Sequence, residues 1–160
     1  MHTLILIGIF LFTFCFMEFM AWFVHKFIMH GFLWYLHKDH HQPEPGWFEK
    51  NDAFFLIFAI PSFLLLLFGF LNPNPYFSAI GFGIMAYGAC YFLVHDIIIH
   101  QRFKILTRSN NTYVKAIRWA HKMHHKHLGK HEGESFGMLV VAHKYWKKIR
   151  DDKQRQELAR

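Results

Sequence analysis

The chain of 160 residues has no Lys or Arg over positions 1–25 and again over 51–101; all 18 basic residues fall in 26–50 and 102–160. A soluble domain mixes charge along its whole length, so these gaps exclude one. Charged residues make up only 18% against 53% hydrophobic, which excludes a disordered chain. Cysteine is nearly absent: Cys15 and Cys90 both lie in apolar runs and form neither a disulfide framework nor a zinc spacing. Also lacking are a Walker loop, a G-x-G-x-x-G turn and a Ser-His-Asp arrangement. What remains is one domain's length of chain, residues 1–160, with a net charge of +7 kept apart from its apolar stretches. That separation points to a membrane and its surface, and away from nucleic acid.

Crossing ~30 Å of hydrocarbon takes about 20 helical residues. Residues 3–24, 53–71 and 76–94 qualify; the first contains one ionisable residue, Glu18, and the others none. Pro61 is tolerable in a span packed against neighbours. The first stretch has no basic leader and too long an apolar core for a signal peptide, so it is expected to stay as an anchor. Asn72-Pro73-Asn74-Pro75 forms an uncharged turn between the second and third spans. Lys26, Lys38 and Lys50 precede span two, and Arg102, Lys104 and Arg108 follow span three. The positive-inside rule places all six in the cytoplasm. A short fourth or re-entrant segment over 27–36 would raise the number of spans from three to four.

Beyond the spans, spacing predicts a basic amphipathic helix over 113–126 and a Gly-punctuated loop over 128–135. A charged helix follows over 143–158, with Tyr145, Trp146 and Ile149 on one face, expected to meet solvent or headgroups. Trp34, Tyr35, Trp47 and Trp119 are expected in the interfacial belt. The expected fold is an all-α integral membrane bundle of three to four spans, with a cytoplasmic helical cap over 102–160.

Histidine is what the chain has in excess, 14 in all. Ten fall into four clusters: His25/His30, His37/His40/His41, His95/His100 and His121/His124/His125. Each half of the chain thus carries an HxxxxH followed by an HxxHH, and the charge map puts all four on the cytoplasmic face. On a helix, i, i+3 and i+4 share a face, so each HxxHH presents three imidazoles together. Residues i and i+5 lie about 140° apart on a regular helix. Either the helix ends or distorts within each HxxxxH, or its two histidines serve different metals. The second option suits a dinuclear centre. Ten imidazoles over two metals give roughly five each, which fits non-haem iron better than closed tetrahedral zinc. His2, His127, His131 and His143 lie outside the pattern and are expected to be solvated.

Carboxylates near the clusters are few: Glu18, Asp39 and Asp96. An intramembrane carboxylate needs a partner, so Glu18 is expected to accept a hydrogen bond from a ligand imidazole or another interior polar group. Asn51-Asp52 reads as the cap of the second span. Imidazoles supply neutral ligands and no nucleophile, so the chemistry belongs to the metal and to O₂. At a membrane surface this suits oxidation of a lipophilic molecule at an unactivated C–H bond.

The four histidine clusters, with Trp47-Phe48-Glu49-Lys50-Asn51-Asp52, His100-Gln101-Arg102 and Ser135-Phe136-Gly137, resemble the bacterial β-carotene hydroxylases. These are a branch of the fatty-acid-hydroxylase-like superfamily of membrane di-iron enzymes, and the resemblance covers roughly residues 15–140. It implies 3-hydroxylation of β-ionone rings, giving β-cryptoxanthin and then zeaxanthin, with O₂ and electrons from a ferredoxin-type donor. It also implies that the ten clustered histidines hold two iron ions, in the inner membrane of a bacterium. The basic side is then the catalytic side, and a dock for an acidic donor protein.

Span three is rich in small residues, and pairs such as Ala79/Gly83 and Ala86/Cys90 predict close helix packing. The alternative is a polyene slot along Gly83, Tyr87, Gly88 and Tyr91. Other readings on the same scaffold are a sterol, fatty-acid, ceramide or keto-carotenoid hydroxylase, or a desaturase. From a different class comes a histidine-rich metal transporter, but transporters set ionisable ligands at mid-membrane depth, and here only Glu18 lies within a span.

Overall fold

The computed structural model describes residues 1–159, and every regular element among them is helical. Helices α1 (His2–Phe23), α3 (Phe54–Leu71) and α4 (Pro75–Phe92) form the apolar bundle. With their continuations they make three candidate spans, His2–Phe32, Lys50–Leu71 and Pro75–Ile99. Phe12, Phe63 and Phe70 point outward, each more than 60% exposed. In water that surface would aggregate; hydrocarbon is its natural solvent. This is a membrane protein. Residues 27–36 add no span: they divide between the continuation of α1 and the start of α2 (Trp34–His41).

Small residues let the three helices close on one another. A Cβ on Gly83 would lie 2.8 Å from Thr13 Cβ and 3.0 Å from the Phe10 carbonyl oxygen on α1. One on Gly81 would meet Leu66 Cγ of α3 at 2.8 Å, and Ser62 Oγ donates to the Gly81 carbonyl at 2.8 Å. Gly83 therefore belongs to a helix contact and not to a slot, whereas nothing stands within 4 Å of a Cβ on Gly88. The Asn-Pro turn closes as a cap: Asn74 Oδ1 accepts from the Tyr76 and Phe77 amides, with Pro75 in the first turn.

Both long helices change their winding where the histidines begin. Helix α1 runs into a π-helical segment, Val24–Phe32, broken at Gly31, and α4 runs into another, Leu93–Ile99. The His100 amide donates to the His95 carbonyl at 2.9 Å, five residues back.

On the polar side, α5 (Thr112–His124) starts from Asn111, whose side chain accepts from the Tyr113 and Val114 amides. Helix α6 (His143–Leu158) is not purely a solvated element. It lays Tyr145 and Ile149 against Ala116, Ile117 and Ala120 of α5, and all five are buried. Its outer face carries the Lys147–Asp151 pair at 3.5 Å.

Candidate metal centre

The π turns decide how the histidine pairs are used. An i→i+5 turn stacks residues five apart, so the rings of His25 and His30 approach to 5.3 Å and those of His95 and His100 to 4.5 Å. Of the two options for HxxxxH, the helix distorts, and each pair stays within one group. The first group is His25, His30, His37, His41 and His124; the second is His40, His95, His100 and His121. Ligand nitrogens within each group all lie within 4.8 Å of one another. His125 adjoins the second group, its Nε2 2.8 Å from His121 Nε2.

Sharing between groups happens instead within the triplets. His37 and His41 stay with their own half of the chain, while His40 crosses over, its Nε2 3.2 Å from His95 Nε2. In α5, His121 stays and His124 crosses, its Nε2 3.3 Å from His30 Nε2 and 3.1 Å from His41 Nε2. In each HxxHH the i+3 imidazole is thus exchanged with the other half.

The hydrogen bonds at the far side of each ring fix the tautomers. Nδ1 of His25, His30, His41 and His124 faces the carbonyl oxygens of Phe136, Lys130, His127 and Glu134 at 3.0–3.1 Å. Nδ1 of His37 lies 2.7 Å from Asn51 Oδ1, and that of His40 lies 2.7 Å from Glu49 Oε2. These oxygens only accept, so each Nδ1 carries the proton and each Nε2 presents a bare lone pair. Those lone pairs face one another: His25–His37 and His41–His37 Nε2 atoms are both 3.2 Å apart. Such an array repels itself unless a cation sits among it. Two nitrogens ~2.1 Å from one cation, at right angles to each other, stand about 3.0 Å apart. The donor set therefore fits metal ions, and the same residues could hold two.

Residues 10–146 match the model of the fatty acid hydroxylase family. The chain belongs to that family. It is 42% identical over 125 residues to the "Beta-carotene hydroxylase" of Pantoea ananas, covering 78% of this chain and 71% of that protein. The protein of the same name from Pseudescherichia vulneris is 39% identical over 125 residues, covering 78% and 70%. The "Beta-carotene 3-hydroxylase 2, chloroplastic" of Arabidopsis thaliana is 38% identical over 128 residues; there 78% of this chain matches only 41% of the relative. No solved structure matches.

In this fatty acid hydroxylase family member, the supporting carboxylates differ in place from expectation. Asp96 Oδ2 lies 3.3 Å from His95 Nδ1. Asp39 makes no hydrogen bond to an imidazole; its Oδ2 accepts from the Lys50 amide and ties α2 to the 49–52 segment. That segment supplies two partners that sequence reasoning passed over, Glu49 for His40 and Asn51 for His37. Asn51 had the look of a helix cap, but it is buried, and it is Asp52 that accepts from the Glu49 amide at 3.1 Å. Trp34, expected in the interfacial belt, sets its ring 5.2 Å from that of His30 and 5.3 Å from that of His41.

Glu18 finds its partner among non-imidazole groups. Its carboxylate accepts from the amides of Met138, Leu139 and Val140 at 2.9–3.0 Å and from Tyr87 Oη at 2.6 Å. A strap of chain 120 residues away is thereby pinned against α1. Two residues before the pinned amides, the Phe136 carbonyl holds His25, and the Phe136 ring lies 5.2 Å from those of His30 and His124. Of the other slot residues, Tyr91 sets its ring 5.0 Å from His95.

Burial, reinforced by neighbouring imidazoles, holds the histidines outside the three candidate spans neutral. It pushes His37, His100 and His124 down to about 2, His125 to about 3 and His41 to about 4, and His40 and His121 also well below the usual range. In the unfolded chain these groups titrate near ~6.5. As pH falls through that value, the unfolded state takes up protons that the folded state refuses, so stability is present above it and is lost below. The thermal unfolding midpoint of metal-free protein in detergent is expected to drop steeply between about pH 7 and pH 5. A midpoint flat across that interval would contradict neutral, buried imidazoles.

Proposed function

We propose that this protein is a membrane di-iron monooxygenase that hydroxylates the β-ionone rings of β-carotene at position 3, giving β-cryptoxanthin and then zeaxanthin. The observation that carries the reading is the two arrays of facing Nε2 atoms in a chain 42% identical to a β-carotene hydroxylase. His25, His30, His37, His41 and His124 would hold one iron, and His40, His95, His100, His121 and His125 the other. Iron bound there supplies activation of O₂ for oxidation at a C–H bond, with electrons from a ferredoxin-type donor. The protein's own part is to orient the imidazoles through their Nδ1 protons, to keep water from nitrogens that are almost wholly buried, and to admit a hydrocarbon.

A groove of about 650 Å³ suits that last task. It runs along α1 past Phe14, Phe19 and Trp22 and is closed on its other side by Leu139 and Val140 of the strap. Phe136 lines it and also packs edge-to-face on the first histidine group, so the groove and the centre share a wall. Glu18 is the only charged residue in its lining, and its oxygens are already engaged. With no Lys or Arg there to hold a carboxylate or phosphate head, the groove favours a substrate apolar to its end, a carotenoid over a fatty acid. By the charge map the centre lies on the cytoplasmic side of the inner membrane, where its basic surroundings would meet an acidic donor.

Expression in a bacterium that accumulates β-carotene, with the pigments resolved by chromatography, tests the reading. Mono- and dihydroxylated pigments are expected. Unchanged β-carotene, with iron bound and donor present, would refute it; metal uptake into vesicles without oxygen consumption would favour a transporter.

A further inference from the structure

The two histidine groups rest on different chemistry. In the first, every Nδ1 partner recorded is neutral: four backbone carbonyls and the Asn51 amide. In the second, the partners are carboxylates, Glu49 for His40 and Asp96 for His95. A single guanidinium ties these carboxylates together. Arg102 sets Nε 3.2 Å from Asp96 Oδ1, and Nη2 2.7 Å from Asp52 Oδ1 and 3.8 Å from Glu49 Oε2. Its place is set by the backbone: Gln101 takes a φ of 55°, and the Arg102 amide turns back to the Asp96 carbonyl at 2.9 Å. Three carboxylates share one cation, so the surroundings of the second group remain negative.

An imidazole that gives its Nδ1 proton to a carboxylate concentrates more charge on Nε2 than one that gives it to a carbonyl. It is the better donor to a cation. We propose that the two metal positions are unequal, the second group being the tight, first-filled one, and that Glu49, Asp96 and Arg102 are the positioning residues that make it so. This rests on the metal-centre reading above.

The test is a Co(II) titration of the metal-stripped, full-length protein in detergent at neutral pH, followed by visible absorption. Two steps are expected, a tight equivalent and then a looser one. The double variant Glu49→Gln, Asp96→Asn keeps hydrogen-bonding side chains but removes the charge. It is expected to weaken the tight step by about 10–100-fold and leave the loose step in place. A purely structural role would weaken both steps together. Asn51→Asp gives His37 a carboxylate and is expected to tighten the loose step, which guards against a double variant that fails to fold. A single step of two equal equivalents in the unmodified protein overturns the proposal. So does a loose step that moves in the double variant, or one that stays unchanged in Asn51→Asp. Absence of any Co(II) binding by folded protein overturns the metal centre itself, a separate and recognisable failure.

Discussion

Replacing His40 with Ala is expected to lower turnover more than about 100-fold and to halve the metal content. The metal lost should be that of the second group. His40 sits in α2 between His37 and the chain end of the helix, yet its Nε2 meets His95 and its ring lies 4.4 Å from that of His100. The reciprocal change, His124→Ala, should empty the first group although His124 lies in α5 beside His121. Neither change should disturb insertion, because α2 and α5 lie outside the three candidate spans. Metal analysis of detergent-purified protein, with pigment turnover, checks both. Full metal content or retained activity in either variant would count against ligand status.

The second large effect is expected at Glu18. Its carboxylate satisfies three amides and the Tyr87 hydroxyl at membrane depth, where water is scarce and an unmet donor is costly. Glu18→Gln puts an amide N–H where acceptors are needed and removes the charge. A loss of stability of about 3 kcal/mol or more is expected, against roughly 1 kcal/mol for Tyr87→Phe, which removes one hydroxyl. Freed, residues 135–142 should become the preferred site of proteolytic cutting. Because the Phe136 carbonyl no longer holds His25 in place, affinity of the first group for metal should also fall about tenfold. Unchanged metal content, activity and unfolding midpoint in Glu18→Gln would sink this account.

The spans, the turn at Asn72–Pro75 and the limits of α6 were legible because each rests on local composition and periodicity. Nine of the ten clustered histidines do come together in two close groups, with His125 beside the second. Their division was not legible. It depends on the change from α to π winding at Val24 and Leu93, and nothing in the apolar residues there announces it. The roles of Asn51 and Glu49 were hidden for a different reason. Both precede a span, where polar residues serve as caps, and only the return of α2 toward the 49–52 segment brings them to His37 and His40. Glu18 invited the search for a partner, since a carboxylate within a span demands one. Besides the Tyr87 hydroxyl, the partners are backbone amides, which carry no sequence signal at all.

The exchange of His40 and His124 makes the centre a clasp. Cut at Asn72–Pro75, the chain would yield two pieces with five of the ten clustered histidines each, and neither piece could complete a group. With one metal in each group, as proposed, the metals would be rivets through both pieces at once, and loading them would require the halves to have come together. Any lesion that parts the halves, however far from an imidazole, would be felt at both ions.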